Sequence, residues 1–238
     1  MDFRPSRELG YVIGAFLGDG SFVEDSDYHH HVKLAVRDKE FAKAFNEQVS
    51  FILGRKTNKI IITRDLGKVF YESKYSSKEL GHFLERPLQE LRFVIDAYPG
   101  EFLRGLFSAD GCGLVSAWAG LRMSIVLSNS NLSLLELTQS ILLSHFQVNS
   151  RIYLARKKGT TWKNGGKTVV LRKDHYILRI QRVRDVRTFT SKIGFQIRRK
   201  QERMERAIEL VDRLGPTKAG AMWKTQYVIR VSPHVKFS

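Results

Sequence analysis

The chain has 238 residues, 42% of them hydrophobic, and carries 40 Lys and Arg against 24 Asp and Glu, a formal charge of +16. That balance excludes wholesale disorder and points to a folded protein that meets a polyanion, with nucleic acid the leading candidate. A single cysteine, Cys112, excludes an internal disulfide and a cysteine-based zinc site, and no apolar run approaches the roughly 18 residues of a membrane span. Without a charged-then-apolar leader, a soluble intracellular protein that meets no membrane is expected.

Hydrophobic period predicts the elements in order. Ser6 can cap a helix from about Arg7 to Asp19 with Leu9, Val12, Ile13, Phe16 and Leu17 on its apolar side. From Tyr28 to Arg37 the pattern alternates, with Val32, Leu34 and Val36 on one face and His31, Lys33, Ala35 and Arg37 on the other. Asp38 can cap the next helix, which runs to Leu53 before Gly54 stops it. Strands near Lys59–Arg64 and Lys68–Ser76 flank the turn "DLGK", and Ser77 starts a helix carrying Leu80, Phe83 and Leu84 that Pro87 interrupts. The order then replays. Pro99 suits a helix first turn, and Phe102, Leu103, Leu106 and Phe107 form that helix's apolar side. A strand near Leu121–Ser128 alternates Met123, Ile125 and Leu127 against Arg122, Ser124, Val126 and Ser128. Asn131 or Ser130 can cap a helix with Leu134, Leu135, Leu137, Ile141 and Leu142. Strands near Arg151–Arg156 and His175–Val183 follow, separated by the loop "KKGTTWKNGGK". Helices over about Arg184–Ile193 and Ile197–Leu214 close the second half, and a basic tail of weak periodicity follows Gly215-Pro216.

Two short stretches tie the halves together. "GAFLGDG" (residues 14–20) and "GLFSADG" (residues 105–111) share Gly, Asp and Gly at matched positions. Gly14 and Gly18 lie four apart, as do Gly105 and Ala109, so each helix has a small-residue stripe on one face. Glycine inside a helix costs roughly 1 kcal/mol against alanine, and close packing of the two helices would offset that. Such packing brings Asp19 and Asp110 to one end of the seam, each before a glycine suited to a left-handed helix exit. A lone Asp-Gly is ordinarily just a helix exit. Two carboxylates at the negative ends of two helices repel each other, and a divalent cation resolves the repulsion; oxygen-only ligands favour Mg²⁺.

These residues resemble the LAGLIDADG homing endonucleases in their single-chain, two-motif form, most like archaeal intron-encoded members. The motifs are Val12-Ile-Gly-Ala-Phe-Leu-Gly-Asp-Gly20 and Leu103-Arg-Gly-Leu-Phe-Ser-Ala-Asp-Gly111. Element order and motif spacing extend the resemblance over nearly the whole chain. It implies an α+β monomer of two pseudo-symmetric αββαββα halves, residues 1–98 and 99–214, followed by a basic tail over 215–238. Each half would give a curved, antiparallel four-stranded sheet, the two forming a saddle over a long asymmetric double-stranded DNA site. It further implies that Asp19 and Asp110, with the carbonyls of Gly18 and Ala109, serve Mg²⁺, with Mn²⁺ or Ca²⁺ able to replace it for binding. Cleavage would cross the minor groove, leave four-nucleotide 3′ overhangs and promote intron mobility, in a prokaryotic cytoplasm. Basic helpers by resemblance are Arg37 at the end of its strand and Arg198 or Lys200 in "IRRKQ". The second half has Ser128, Asn129 and Ser130 where the first has Arg37. The motifs also depart from the family pattern at Val12-Ile13, Leu103-Arg104, Leu17 and Ser108.

Strand alternation identifies the surface that would read DNA. His31, Lys33, Arg37, Glu72 and Lys74 lie opposite the apolar set in the first half, as do Arg122, Ser124, Arg151, Arg179 and Gln181 in the second. A β-ribbon fits the major groove, where such side chains match base edges. Lys68, Lys157, Lys158 and Lys163, in turns and loops, suit phosphates. The run His29-His30-His31 invites a metal reading, but on a strand His29 and His31 share a face that His30 does not, which favours surface or DNA-facing roles. Two rivals to a nuclease are an RNA-binding maturase and a duplicated DNA-binding regulator; retention of both acids favours cutting.

Overall fold

The computed structural model describes residues 3–26, 29–65, 67–164 and 167–228. The first half runs α1 (Arg7–Asp19), β1 (Gly20–Ser26), β2 (His29–Val36), α2 (Lys39–Ile52), β3 (Ile61–Asp65), β4 (Lys68–Ser76), α3 (Lys78–Leu84) and α4 (Leu88–Ile95). The second runs α5 (Pro99–Ala109), β5 (Gly111–Ser116), β6 (Arg122–Asn129), α6 (Leu132–Phe146), β7 (Arg151–Arg156), β8 (Thr161–Asn164), β9 (Lys167–Val170), β10 (His175–Ile180), α7 (Val183–Lys192) and α8 (Arg198–Trp223). Each half builds one four-stranded sheet, ordered β1-β2-β4-β3 and β5-β6-β10-β7, with every neighbouring pair antiparallel. The α+β class and the doubled architecture are as expected.

Local chemistry explains most boundaries. The Ser6 and Ser77 hydroxyls and the Asn131 side chain accept from the backbone N–H groups of Leu9, Leu80 and Leu134, closing the first turns of α1, α3 and α6. Pro99 occupies the first turn of α5, where its missing N–H costs nothing. Asp38 precedes α2 without capping it; its carboxylate is engaged elsewhere, as described below. The inward faces of the strands supply Val32, Leu34, Val36, Met123, Ile125 and Leu127, all buried against the helices. Burying each such side chain contributes about 1.5–3 kcal/mol relative to exposure.

Four features depart from the sequence reading. The first strands of the two halves, β1 and β5, were not located by alternation, because each starts directly at the glycine after the motif acid. That glycine is not a left-handed exit. Gly20 is extended (φ −80°, ψ 162°), and Gly111 has no positive φ. Glycine is needed there because a β-carbon would strike Phe16 at Gly20 or Phe107 at Gly111. The loop of residues 157–167 is in part a hairpin, β8 paired with β9. Beyond Gly215, where φ is +72° and the helix kinks, the chain is helical again and buries Ala219, Gly220 and Trp223. A π-helical turn, Lys224–Val228, follows. The expected strand start at Tyr28 and the end of the tail lie outside the described residues.

Candidate active site and DNA-facing surface

The two motif helices meet face to face. A β-carbon on Gly14 would land on the carbonyl oxygen of Phe102 and 2.9 Å from Leu106 N; one on Gly105 would land on the carbonyl of Tyr11 and 2.8 Å from Ala15 N. Gly18 meets the β-carbon of Ala109 in the same way. Each contact in α1 has its mate in α5 at the matched repeat position, so the pseudo-twofold axis passes through this seam. The predicted interface set Gly14, Gly18, Gly105 and Ala109 is therefore brought together.

Asp19 and Asp110 end the two helices at one end of the seam. Burial pushes the Asp19 carboxyl above its ordinary value, Lys200 opposes the shift and Asp38 adds to it. Asp110 is pushed up to about 6, chiefly by burial, against a hydrogen bond from Asn129, with the Asp19 charge adding to the rise. Asn129 Nδ2 donates to Asp110 Oδ2 at 2.6 Å. The Asp110 Cγ would lie 3.6 Å from a β-carbon at Gly18, an ordinary contact, so it is Ala109 and not this carboxylate that requires glycine there.

The basic helpers separate. Arg198, at the start of α8, turns outward to Glu202 (2.5 Å) and does not join the acids. Lys200 does. Its ammonium donates to the carbonyls of Ser108 and Gly111, both at 2.7 Å, with Ala109 O at 3.5 Å. Burial lowers the Lys200 pKa from its ordinary value. Arg37 is exposed and shares a cleft of about 300 Å³ with Asp19, Ala109, Arg199 and Lys200. Arg199 was not foreseen. Its guanidinium makes a two-pronged pair with Asp38, both bonds 2.9 Å, linking α8 of the second half to the start of α2 in the first. Asn129 was also missed, although a signal existed: it continues the core-facing series Met123, Ile125, Leu127 and is the polar member of that series. Strand registers pair Gly20 with Leu34 and Gly111 with Leu127, which makes Val36 the first-half counterpart of Asn129 and Ser130 that of Arg37. The two acids thus have unlike surroundings.

The open sheet faces hold the predicted readers. Lys33 stands opposite Lys74, His31 opposite Ser76, and Lys68 opposite Asp65 at a hairpin end. Glu72 is largely buried and serves as counter-ion to Lys33 (3.0 Å). His30 turns to the other side and meets Glu24 at 3.0 Å. In the second half, Arg122 faces Ser116, Ser124 faces Leu114, and Arg179 lies between Val126 and Arg151. Arg179 Nε is buried without a hydrogen-bond partner. Gln181 follows β10, exposed Lys157 and Lys158 follow β7, and Lys163 lies on β8 opposite Thr168. Among the described residues, no cluster of three or more His, Cys, Asp or Glu that could hold a metal forms; Asp19 and Asp110 are the acids at the seam, and Asp38, paired with Arg199, lines the cleft beside Asp19. Asp19 is exposed and Asp110 half-buried, and partial desolvation disfavours the ionised form of each; two such carboxylates fit a hard divalent cation whose remaining ligands are waters and phosphate oxygens.

The acids set a pH prediction. Relative to the usual 3.8, a folded value near 6 means the folded protein holds the Asp110 proton more tightly than the unfolded chain. Without metal, stability from this group is therefore full below about pH 4 and is lost as pH rises through about 6, on the order of 2–3 kcal/mol. Asp19 acts in the same direction. Thermal unfolding of wild type and Asp110→Asn between pH 4 and 7.5 in EDTA should show the wild-type curve falling relative to the variant.

A doubled α+β unit, joined through glycine-lined helices that each deliver one aspartate, defines a two-motif protein of the LAGLIDADG class. The chain belongs to the LAGLIDADG family. Residues 97–194 match the model of the LAGLIDADG-like domain, and residues 9–71 that of the WhiA LAGLIDADG-like domain. The uncharacterized protein MJ0398 of Methanocaldococcus jannaschii is 32% identical over 214 residues, 90% of this chain and 76% of that protein. Among solved structures, mesophilic variants of the homing endonuclease I-DmoI match at TM-score 0.56 and 19% identity, covering 84% of this chain and 97% of theirs. I-DmoI in complex with DNA and Mn matches at TM-score 0.53 and 19% identity, over 79% and 96%. Full-length DUF199/WhiA from Thermatoga maritima matches at TM-score 0.54 and 20% identity, over 94% and 68%. At these identities the likeness shows the fold. Among the described residues, no helix is long and apolar enough to cross a membrane.

Proposed function

We propose that this chain is a site-specific, Mg²⁺-dependent homing endonuclease that cuts both strands of double-stranded DNA and promotes mobility of its intron. The observation that carries the reading is the pair Asp19 and Asp110, each pushed toward its protonated form chiefly by desolvation, at the end of a seam between two sheets with basic open faces. Asp19 and Asp110 would hold a divalent cation, which would supply Lewis-acid activation of the phosphodiester and of the attacking water. The chain's residues do the rest. Asn129 fixes the orientation of Asp110. Lys200 fixes the end of α5, and with Arg37 and Arg199 it surrounds the cleft beside Asp19 with positive charge that offsets charge developing on the phosphate. The resemblance adds cleavage across the minor groove with four-nucleotide 3′ overhangs. Structures of I-DmoI with DNA and Mn, and with DNA and Ca, support metal-dependent DNA work in a like fold.

One observation favours a second reading, DNA binding without cleavage. The Lys200 ammonium already sits at the terminal carbonyls of α5, including that of Ala109, and provides a positive charge where the resemblance places a metal ligand. Incubating the protein with a circular plasmid library bearing a randomised insert separates the two. Linear products with four-nucleotide 3′ ends in Mg²⁺ are expected; selective retention of plasmids with no linear product in Mg²⁺ or Mn²⁺ would establish the second reading. Binding should also weaken steeply with salt, because many phosphates are neutralised across both sheets; a flat response between 50 and 200 mM salt, concentrations at which such proteins lose about 10³-fold or more, would count against the saddle.

A further inference from the structure

We propose that Trp118 is a DNA-contacting side chain that packs against the sugars and groove edge of the duplex at the outer end of the second half's sheet, an inference that rests on the DNA-binding part of the function proposed above. Trp118 is 90% exposed, the most exposed of the large hydrophobic side chains among the described residues. It occupies the turn between β5 and β6, just past a strand whose residues alternate: Gly113 and Val115 are covered, while Cys112, Leu114 and Ser116 stand on the open face. Half-covered Ala117 continues the first series and Trp118 the second. The open face is the one that carries Arg122 and Ser124.

The turn is held firmly. Leu121 N–H donates to Pro216 O at 2.8 Å, and Gly120 packs on Pro216. A β-carbon on Gly220 would lie 2.9 Å from Gly120 and Leu121, so the helix after Gly215 lies directly against the turn. Lys224 Nζ reaches the Trp118 carbonyl at 3.5 Å. This gives the segment past Gly215 a purpose: it braces a turn that presents an indole to solvent. A rigid aromatic presented this way loses little freedom when it binds.

Charge selects the partner. Exposed Arg122 stands beside the turn across from Ser116, Lys224 touches it, and the whole chain carries +16. A second copy would bring like charge against like; a duplex leaving the saddle brings phosphates to Arg122 and Lys224 and the apolar face of a sugar to the indole. β5 starts beside Asp110 and runs six residues, about 20 Å at strand rise. That places Trp118 on the order of six base pairs from the cleavage centre, on one side of the site.

The test uses full-length protein with Trp162→Phe, which leaves Trp118 and buried Trp223 as emitters, and a 40-base-pair mixed-sequence duplex as probe. Contacts to sugars and backbone tolerate sequence, so DNA should change Trp118 emission and shield it from acrylamide. Trp118→Ala should weaken binding by about 10- to 100-fold through lost apolar burial, and Trp118→Phe by only a few-fold. The inference is overturned if the duplex binds, as seen by mobility shift, yet Trp118 emission and acrylamide access stay unchanged, or if Trp118→Ala binds as tightly as wild type. The function proposed above survives that result. Absence of any DNA binding by wild type would overturn both. Shielding by anionic vesicles or by self-association without DNA would reassign the turn to that partner and overturn the inference. Should Trp118→Ala fail to fold, emission and Trp118→Phe still decide.

Discussion

Gly14→Ala is expected to destabilise the protein by about 2–4 kcal/mol, although helix propensity alone predicts a gain of roughly 1 kcal/mol. The reason is that the new methyl meets backbone. It would land on the Phe102 carbonyl and crowd Leu106 N, and neither can yield as a side chain would. Relief requires α1 and α5 to separate, which loosens Val12, Ile13, Phe102 and Leu106, all fully buried in the seam region. Overpacking of this kind costs typically 1–3 kcal/mol even where side chains absorb it. Gly105→Ala meets Tyr11 O and Ala15 N and should behave alike. Urea denaturation measures both; a variant as stable as wild type would mean the helices are not locked by this contact.

On the proposed function, Asp19→Asn and Asp110→Asn should each lower double-strand cleavage on the order of 10³-fold or more, because each would lose a metal ligand and with it several kcal/mol of transition-state stabilisation. DNA affinity should hold or rise, since a negative charge facing phosphate is removed. Unequal surroundings give the two variants a further signature. Asp110 is held by Asn129, whereas Asp19 shares its cleft with Arg37, Arg199 and Lys200. Single-turnover cleavage with each strand labelled separately should therefore show the two strands affected to different degrees. Full activity in either variant would remove that acid from the mechanism.

Much of this was legible because it rests on spacing. The four-residue interval of Gly14 and Gly18, repeated at Gly105 and Ala109, is a helix-face signal, and the structure brings those residues into contact. Alternation located β2 and β6 because one face is covered by helices and the other is open. β1 and β5 escaped because β5 alternates glycine with exposed residues rather than apolar with polar; Gly113 is buried against Met204, which leaves no hydrophobic signal. The role of Gly20 was misjudged for a related reason. Sequence shows that a position wants no side chain, but not whether the cause is a left-handed φ or a neighbouring phenylalanine. Helical phase settled the basic run only after folding: Arg198, Arg199 and Lys200 are adjacent in sequence but point to Glu202, Asp38 and the α5 carbonyls respectively. The Arg199–Asp38 link spans 161 positions, and no local pattern encodes such a pair.

The central claim is that Asp19 and Asp110 form one metal-dependent nuclease centre at the helix seam. The most direct measurement is linearisation of a plasmid carrying the selected target, in Mg²⁺ and in EDTA, by wild type and by the Asp19→Asn/Asp110→Asn double variant. Linear product with four-nucleotide 3′ overhangs from wild type in Mg²⁺, and none from wild type in EDTA or from the double variant, is the predicted result. Cutting that persists in EDTA, or with both carboxylates gone, would contradict the account.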